Sequence, residues 1–174
     1  QELLEKDIHI SKGEIDRILK NAAADLVQEK ENILDVGLLV SDYIQVDDTG
    51  ARDQGKNAYC TIIANDLFAY FHTSSSKSRL NFLEILNGKR KTYLINDAAL
   101  QYMSRQKLSE STINLLLAHK SIKCNTYSEF AKLLKGYPLK PNEIKTITEA
   151  ALIGNLTNDG FPEDMALLSD DAGQ

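Results

Sequence analysis

The stretch of sequence that decides the fold is YIQVDDTG, residues 43–50. It opens with aromatic and β-branched residues, which favour extended backbone. Two acidic residues follow, and the Thr49-Gly50 dipeptide predicts a break in the strand. We therefore predict a short strand at residues 43–46 that delivers two carboxylates, Asp47 and Asp48, at its C-terminal end.

Two further strands are predicted immediately after this one. Residues 57–64 are rich in strand-forming residues and follow a turn signal at residues 54–57. Asn65-Asp66 predicts a hairpin turn into residues 67–72. Because consecutive strands joined by short turns pair as antiparallel neighbours, we expect a three-stranded antiparallel unit.

Helical patterns are found on both sides of these strands. Ser11 and Glu14 form a capping box, and apolar residues recur after it at helical spacing. One apolar face of this helix is therefore expected to pack against another surface. After the third strand, the serines at 74–76 are expected to cap a helix that begins at Lys77 and stops at Gly88.

The rest of the chain predicts short helices and one last strand. The helices are expected at residues 97–104, 110–119, 128–135 and 142–153, with stops at Gly136 and Gly154. The apolar run at residues 165–168 does not alternate, which is typical of a strand buried on both faces. The predicted organisation is a helical segment (1–40), a core (41–91), a mainly helical insertion (92–164) and a final strand (165–174).

Composition and charge limit the class of protein. The 174 residues are 43% hydrophobic and 26% charged, which suits one compact domain and excludes a disordered chain. The net charge is −5, but residues 77–140 hold twelve Lys and Arg against four Asp and Glu, a local balance of +8. Such a basic segment is typical of a surface that contacts a polyanion, although lysines on the solvated faces of helices are the simpler explanation.

The sequence shows no membrane-spanning stretch and no secretory leader. Cys60 and Cys124 have neither disulfide-framework nor zinc spacing, so we expect a cytoplasmic protein. The chain begins with Gln and ends just after an apolar run, and we expect it to be a fragment of a longer protein.

Acidic residues follow two apolar strands, at Asp47-Asp48 and at Asp170-Asp171. If these strands are parallel neighbours, their acids emerge at the same edge of the sheet. Carboxylates that meet there repel one another, and Mg²⁺ or Mn²⁺ relieves that repulsion because these ions prefer oxygen ligands. The alternative is that each acid pair belongs to a turn or a helix cap.

The sequence YIQVDDTGAR at residues 43–52, followed by Gly55-Lys56-Asn57, resembles the first catalytic strand of bacterial insertion-sequence transposases of the DDE class. The group it resembles most is insertion-sequence family sixty-six. The sequences KSRLNFL at residues 77–83 and SDDAG at residues 169–173 also resemble this family.

This resemblance implies an RNase H-like α/β fold with a mixed sheet: three antiparallel strands, a helix, and then a strand beside the first. It also implies that Asp47 and Asp170 are catalytic acids that bind Mg²⁺ or Mn²⁺, and that Asp48 is a neighbour rather than a ligand. The third acid of the family lies on a later helix, beyond this chain. The implied partner is DNA, as transposon ends and target, and a homo-oligomer is possible.

Several other residues are candidates for site roles. Asp97 also follows an apolar run and is a rival for the second acid, although a helix cap explains it better. Basic residues are candidates for contacts to DNA phosphates, with surface exposure or packing of the side-chain stem as the alternative. They are Arg52, Lys56, Lys77, Arg79, Lys89, Arg90 and Lys91.

Three functional hypotheses follow from these observations. The leading one is a catalytic-domain fragment of a DNA transposase. The second is a DNA-binding or assembly module with a degenerate, inactive nuclease fold, and the third is an RNase H-like nuclease that hydrolyses DNA without joining strands. An acid on a helix after residue 174 distinguishes the first hypothesis from the second.

Overall fold

The computed structural model describes residues 10–53, 55–88, 91–162 and 164–169, and for Ala24, Asp25 and Asp53 it describes the backbone alone. The described helices are α1 (Lys12–Val40), α2 (Arg79–Asn87), α3 (Asp97–Arg105), α4 (Glu110–Leu117), α5 (Tyr127–Leu134) and α6 (Pro141–Asn158). The described strands are β1 (Tyr43–Asp53), β2 (Lys56–Ala64), β3 (Ala69–Ser74), β4 (Tyr93–Leu94), β5 (Lys123–Cys124) and β6 (Ala166–Ser169). None of these helices is long and apolar enough to cross a membrane.

A four-stranded mixed sheet forms the centre of the structure, with the order β3-β2-β1-β6. Strand β1 pairs antiparallel with β2, and β2 pairs antiparallel with β3. On its other side, β1 pairs in parallel with β6, so that Tyr43 lies opposite Ala166 and Val46 opposite Ser169. The predictions of an α/β fold, of three consecutive antiparallel strands and of a later strand beside the first are confirmed.

One hydrophobic core joins the sheet to the helical region. Its cluster includes Leu38 of α1, Ile44 of β1 and Ile63 of β2, and it continues into α3, α5 and α6. A buried polar contact also crosses between helices, because Asn155 of α6 donates a hydrogen bond to Asn87 of α2 at 2.8 Å. The helical segment at residues 92–164 therefore shares its core with the sheet and is not a separate body.

The first strand is longer than the sequence predicted. It continues through Thr49-Gly50 to Asp53, in unbroken register with β2 from Gln45 opposite Ala64 to Asp53 opposite Lys56. The turn comes instead at Gly55, whose φ of +78° suits glycine. A single glycine weakens a strand only modestly, so the cross-strand pairing overrides the break signal.

Other features also differ from the prediction. Helix α2 begins at Arg79 rather than Lys77, because the Ser78 side chain accepts the capping hydrogen bond from the backbone of Asn81. Strand β3 is displaced to residues 69–74, because the Asn65 side chain accepts hydrogen bonds from the next turn residues. The pairing of β4 with β5 was not predicted, since two-residue strands leave no period to detect.

Gly154 lies inside helix α6 and does not end it, contrary to the prediction. A methyl group at this position would lie 2.2 Å from the carbonyl oxygen of Leu94 and 2.8 Å from the Asn96 side chain. Glycine is therefore needed here for the close approach of α6 to β4, and helix α6 continues to Asn158.

Strand β6 was predicted to be buried on both faces, and this prediction is wrong for the described residues. Leu167 is 54% exposed and Leu168 is 51% exposed. They lie on opposite faces of the strand, because side chains alternate. An apolar run without alternation therefore does not establish that a strand is covered.

The tight contact at Gly154 predicts that Gly154→Ala destabilises the protein. The added methyl group meets backbone, which yields less readily than a side chain, so we expect a loss of about 1–3 kcal/mol. For a chain of this length that loss lowers the melting temperature by roughly 3–10 °C. Gly136→Ala is the matched control, because the added methyl group would meet nothing closer than 4.0 Å. Equal melting temperatures for Gly154→Ala and Gly136→Ala would contradict this account of α6.

Candidate functional site

The two acids that follow Val46 lie on opposite faces of β1, because side chains alternate along a strand. Asp48 is half-buried, and its Oδ1 accepts a hydrogen bond of 2.5 Å from the hydroxyl of Thr61, which lies directly opposite on β2. Thr61 is only 2% exposed. This bond gives Asp48 a structural role on the face that Ile44 and Ile63 also occupy.

Asp47 is exposed and faces the other side of the sheet. Among the described residues, its carboxylate has no hydrogen-bond or ion-pair partner. It borders an open groove of about 460 Å³ that crosses the strands β2, β1 and β6. The groove is lined by Gln45, Val46, Asp47, Ile62, Ala64, Leu168 and Ser169. A solvated carboxylate beside an apolar sheet surface is free to bind a ligand.

The second predicted acid, Asp170, lies outside the described residues. Ser169, the residue before it, pairs with Val46, the residue before Asp47. The two strands are parallel neighbours, as expected, but Asp47 lies within β1, which continues to Asp53, and not after its end.

The groove offers one of the oxygen ligands that a hard divalent cation needs. The Asp47 carboxylate is an oxygen ligand of the kind that Mg²⁺ and Mn²⁺ take. Within residues 10–53, 55–88, 91–162 and 164–169, however, no group of three Asp, Glu, His or Cys side chains could hold a metal. Asp170 is the further oxygen ligand that the sequence offers next to this groove.

The basic candidates differ in their surroundings. Arg52 and Lys56 are exposed near the tip of the β1–β2 hairpin. Arg52 is five residues from Asp47, roughly 17 Å along the strand, and on the opposite face. Lys77 is exposed before α2, whereas Arg79 donates a hydrogen bond of 3.2 Å to the Tyr102 hydroxyl, which raises the pKa of Arg79.

The remaining basic candidates are only partly described. Lys91 forms an ion pair of 2.8 Å with Glu84, and Lys89 and Arg90 lie outside the described residues. The structure therefore does not bring Arg79 or Lys91 to the groove as free cations.

Asp97, the rival second acid, begins helix α3 and forms an ion pair of 2.6 Å with Lys120. The cap itself is Asn96, whose side chain accepts a hydrogen bond from the backbone of Ala99. Asp97 therefore belongs to the helical region, and no contact brings it to Asp47.

A second polar cluster was missed from the sequence. The Tyr70 hydroxyl donates a hydrogen bond of 3.0 Å to Glu31 of α1 and lies 3.4 Å from Nδ1 of His72. The ammonium of Lys30 lies 4.8 Å from the centre of the Tyr70 ring. The spacing of two puts Tyr70 and His72 on one face of β3, but the approach of Glu31 depends on the docking of α1.

Comparison with known proteins identifies a relative whose name states no activity. Uncharacterized protein y4jO of Sinorhizobium fredii (strain NBRC 101917 / NGR234) is 33% identical to the chain over 145 residues. The match covers 82% of the chain but 45% of the relative, so the chain spans less than half of the relative's length. No family model matches the sequence, and no solved structure matches it.

The surroundings of His72 predict a pH-dependent contribution to stability. Burial, and then the nearby charge of Lys30, lower the pKa of His72 below its ordinary value of 6.5. As the pH falls through 6.5, the unfolded chain therefore binds a proton before the folded one, and stability is lost below that pH. Between pH 7.5 and pH 5.5, about one pH unit on either side of the ordinary histidine pKa, the melting temperature of the wild type should fall more than that of His72→Gln. The same fall in both proteins would show that His72 does not contribute.

Proposed function

We propose that this chain is part of the catalytic core of a DNA transposase with an RNase H-like fold. The strand order β3-β2-β1-β6, with one parallel pair between β1 and β6, is the arrangement that the resemblance implied. The longest block of that resemblance is residues 43–57, which form β1 and the hairpin into β2.

The single observation that carries this proposal is the parallel register of β1 and β6. Val46 lies opposite Ser169, and each is followed in the sequence by an aspartate, Asp47 or Asp170. Two carboxylates that follow paired positions on neighbouring parallel strands are a suitable pair of ligands for a divalent cation. Asp48 is not needed for this role, since its carboxylate accepts the hydrogen bond from Thr61.

In the proposed function, Asp47 and Asp170 hold Mg²⁺ or Mn²⁺ beside a DNA phosphodiester. The ion, when bound, supplies charge stabilisation to the oxygens of the phosphodiester. The groove beside Asp47 is open and Asp47 is exposed, so a DNA strand can reach the carboxylate. In the whole protein, water and then a DNA 3′-hydroxyl would be the nucleophiles.

The second candidate is a DNA-binding or assembly module that has the fold without the activity. What favours it is that the described residues contain no three-ligand metal group. The two candidates differ in whether Asp47 binds a metal ion.

A metal-binding pair predicts an unusual response to Asp47→Asn. The substitution keeps the shape and removes one of two like charges, so the metal-free variant should be more stable by on the order of 1 kcal/mol. At a Mn²⁺ concentration about ten times its Kd, the wild type should gain about 1.4 kcal/mol, and the variant should gain nothing. Melting curves with and without Mn²⁺ measure both effects.

The matched control for this experiment is Asp48→Asn, which changes the neighbouring carboxylate on the other face. This variant should keep the stabilisation by Mn²⁺, because Asp48 bonds to Thr61 and does not face the groove. If Asp47→Asn responds to Mn²⁺ as the wild type does, the metal site is excluded.

The basic segment predicts a salt-dependent affinity for DNA. Lys132, Lys135 and Lys140 are exposed, and reversing their charges should weaken binding to all duplex sequences alike. Loss of three phosphate contacts should also reduce the slope of log K against log salt by about 3. Fluorescence anisotropy with a labelled duplex measures both. Reversal of Lys12 and Lys20 on α1 is the control, and an effect confined to this control would contradict the assignment.

A further inference from the structure

Helix α1 presents a long apolar stripe that the rest of the described chain does not cover. The stripe positions alternate at spacings of four and three residues, and seven of the eight are apolar. They are Ile15, Leu19, Ala22, Leu26, Glu29, Ile33, Val36 and Val40. Leu19, Leu26 and Val40 are each 60% exposed or more.

The same helix uses a different face to join its own domain. Leu34 and Leu38 are 1% and 5% exposed and belong to the core. Glu31 lies on that side as well, where it accepts the hydrogen bond from Tyr70. The apolar stripe is therefore a second hydrophobic face, beyond the one that the fold requires.

The spacing of the stripe is that of a coiled coil. Apolar residues that repeat every 3.5 residues keep one face turned toward a partner helix over several turns, with a left-handed supercoil. An ordinary amphipathic surface helix follows a 3.6-residue period, and its apolar face covers its own core. Here the 3.5-residue repeat extends from Ile15 to Val40, most of the length of α1.

The C-terminal half of the stripe borders a preformed groove of about 370 Å³. Its apolar lining is Ile33, Val36, Gly37, Val40, Leu67 and Phe68. The ring of Phe68 packs directly on Gly37, where an added methyl group would lie 2.6 Å from it. The groove is thus walled by the turn between β2 and β3 and is ready to receive another helix.

We propose that α1 pairs with α1 of a second copy of this chain as an antiparallel coiled coil. The stripe positions are symmetric about the middle of the helix, so an antiparallel copy places Ile15 opposite Val40 and Leu19 opposite Val36. The N-terminal half of each helix then fills the groove of the other copy. This interface lies on α1 and is independent of the metal chemistry proposed for Asp47.

The position of Glu29 favours the antiparallel orientation. In a parallel pair in register, the two Glu29 side chains would face each other in the interface, and like charges there are costly. In the antiparallel pair, Glu29 faces Leu26 instead. The charge distribution also favours the antiparallel orientation. Residues 26–40 carry three acids against one lysine, whereas the charges of residues 12–25 are balanced. Antiparallel pairing therefore keeps the two acidic halves apart.

The available area also suits a stable dimer. The six large apolar residues of the stripe are 39–63% exposed and together expose on the order of 600 Å² per copy, or about 1,200 Å² for the pair. That total lies within the range of specific protein–protein interfaces.

Sedimentation velocity over a range of concentrations tests the pairing. We expect a Kd in the micromolar range or below, so the wild-type chain should be a dimer at about 100 μM. Leu26→Glu should raise the Kd by about 100-fold or more, because it places a charge in the apolar interface. Val27→Glu is the matched control, since Val27 is 56% exposed on the same helix but lies off the stripe. It should remain a dimer.

Cysteine cross-linking tests the orientation. An equimolar mixture of Leu19→Cys and Val36→Cys chains should form a disulfide-linked heterodimer under mild oxidation. The wild type, oxidised in the same way, shows how much cross-linking comes from Cys60 and Cys124. A cross-link in Leu19→Cys alone would mean a parallel pair and would overturn the orientation. A wild-type chain that remains monomeric at about 100 μM, or a Val27→Glu variant that dissociates like Leu26→Glu, would overturn the proposal.

Discussion

The structure depends on the pairing of β1 with strands on both of its sides. Its antiparallel pairing with β2 holds the first half of the sheet, and its parallel pairing with β6 brings in a strand that is more than a hundred residues away in the sequence. The chain between β3 and β6 must return to the same edge, and the helices α2 to α6 make that connection while sharing the core. Every proposed role of Asp47 follows from this central position.

Side chains alternate between the two faces of β1, and this places the adjacent acids Asp47 and Asp48 in different environments. Asp48 faces the side that is packed, where the buried hydroxyl of Thr61 satisfies it. Asp47 faces the groove, where the described residues offer it no partner. A residue pair that looks redundant in the sequence is therefore divided between stability and proposed function. The same division applies to α1, which uses Leu34 and Leu38 for its own core and leaves the apolar stripe for a partner.

Much of the fold could be predicted from local pattern, because capping residues and turn residues act over a few positions. Ser11 and Glu14 do form the predicted capping box, and Asn65 does make the predicted turn. The predictions of element boundaries were wrong where tertiary contacts determine the structure. The strand β1 continues through Gly50 because β2 pairs with it, and α6 continues through Gly154 because β4 lies against it. The exposure of β6 and the approach of Glu31 to Tyr70 have no local signal at all.

The central claim is that Asp47 and Asp170 together bind a divalent cation, and paramagnetic broadening by Mn²⁺ tests it most directly. In an NMR titration of the isotope-labelled chain, the amide signals of Val46 and Ser169 should broaden together and before those of other residues, because these residues precede the two acids on paired strands. Asp47→Asn should abolish the broadening at both amides. Broadening that begins instead beside Glu31, at the second polar cluster, and that is unchanged in Asp47→Asn, would contradict the account.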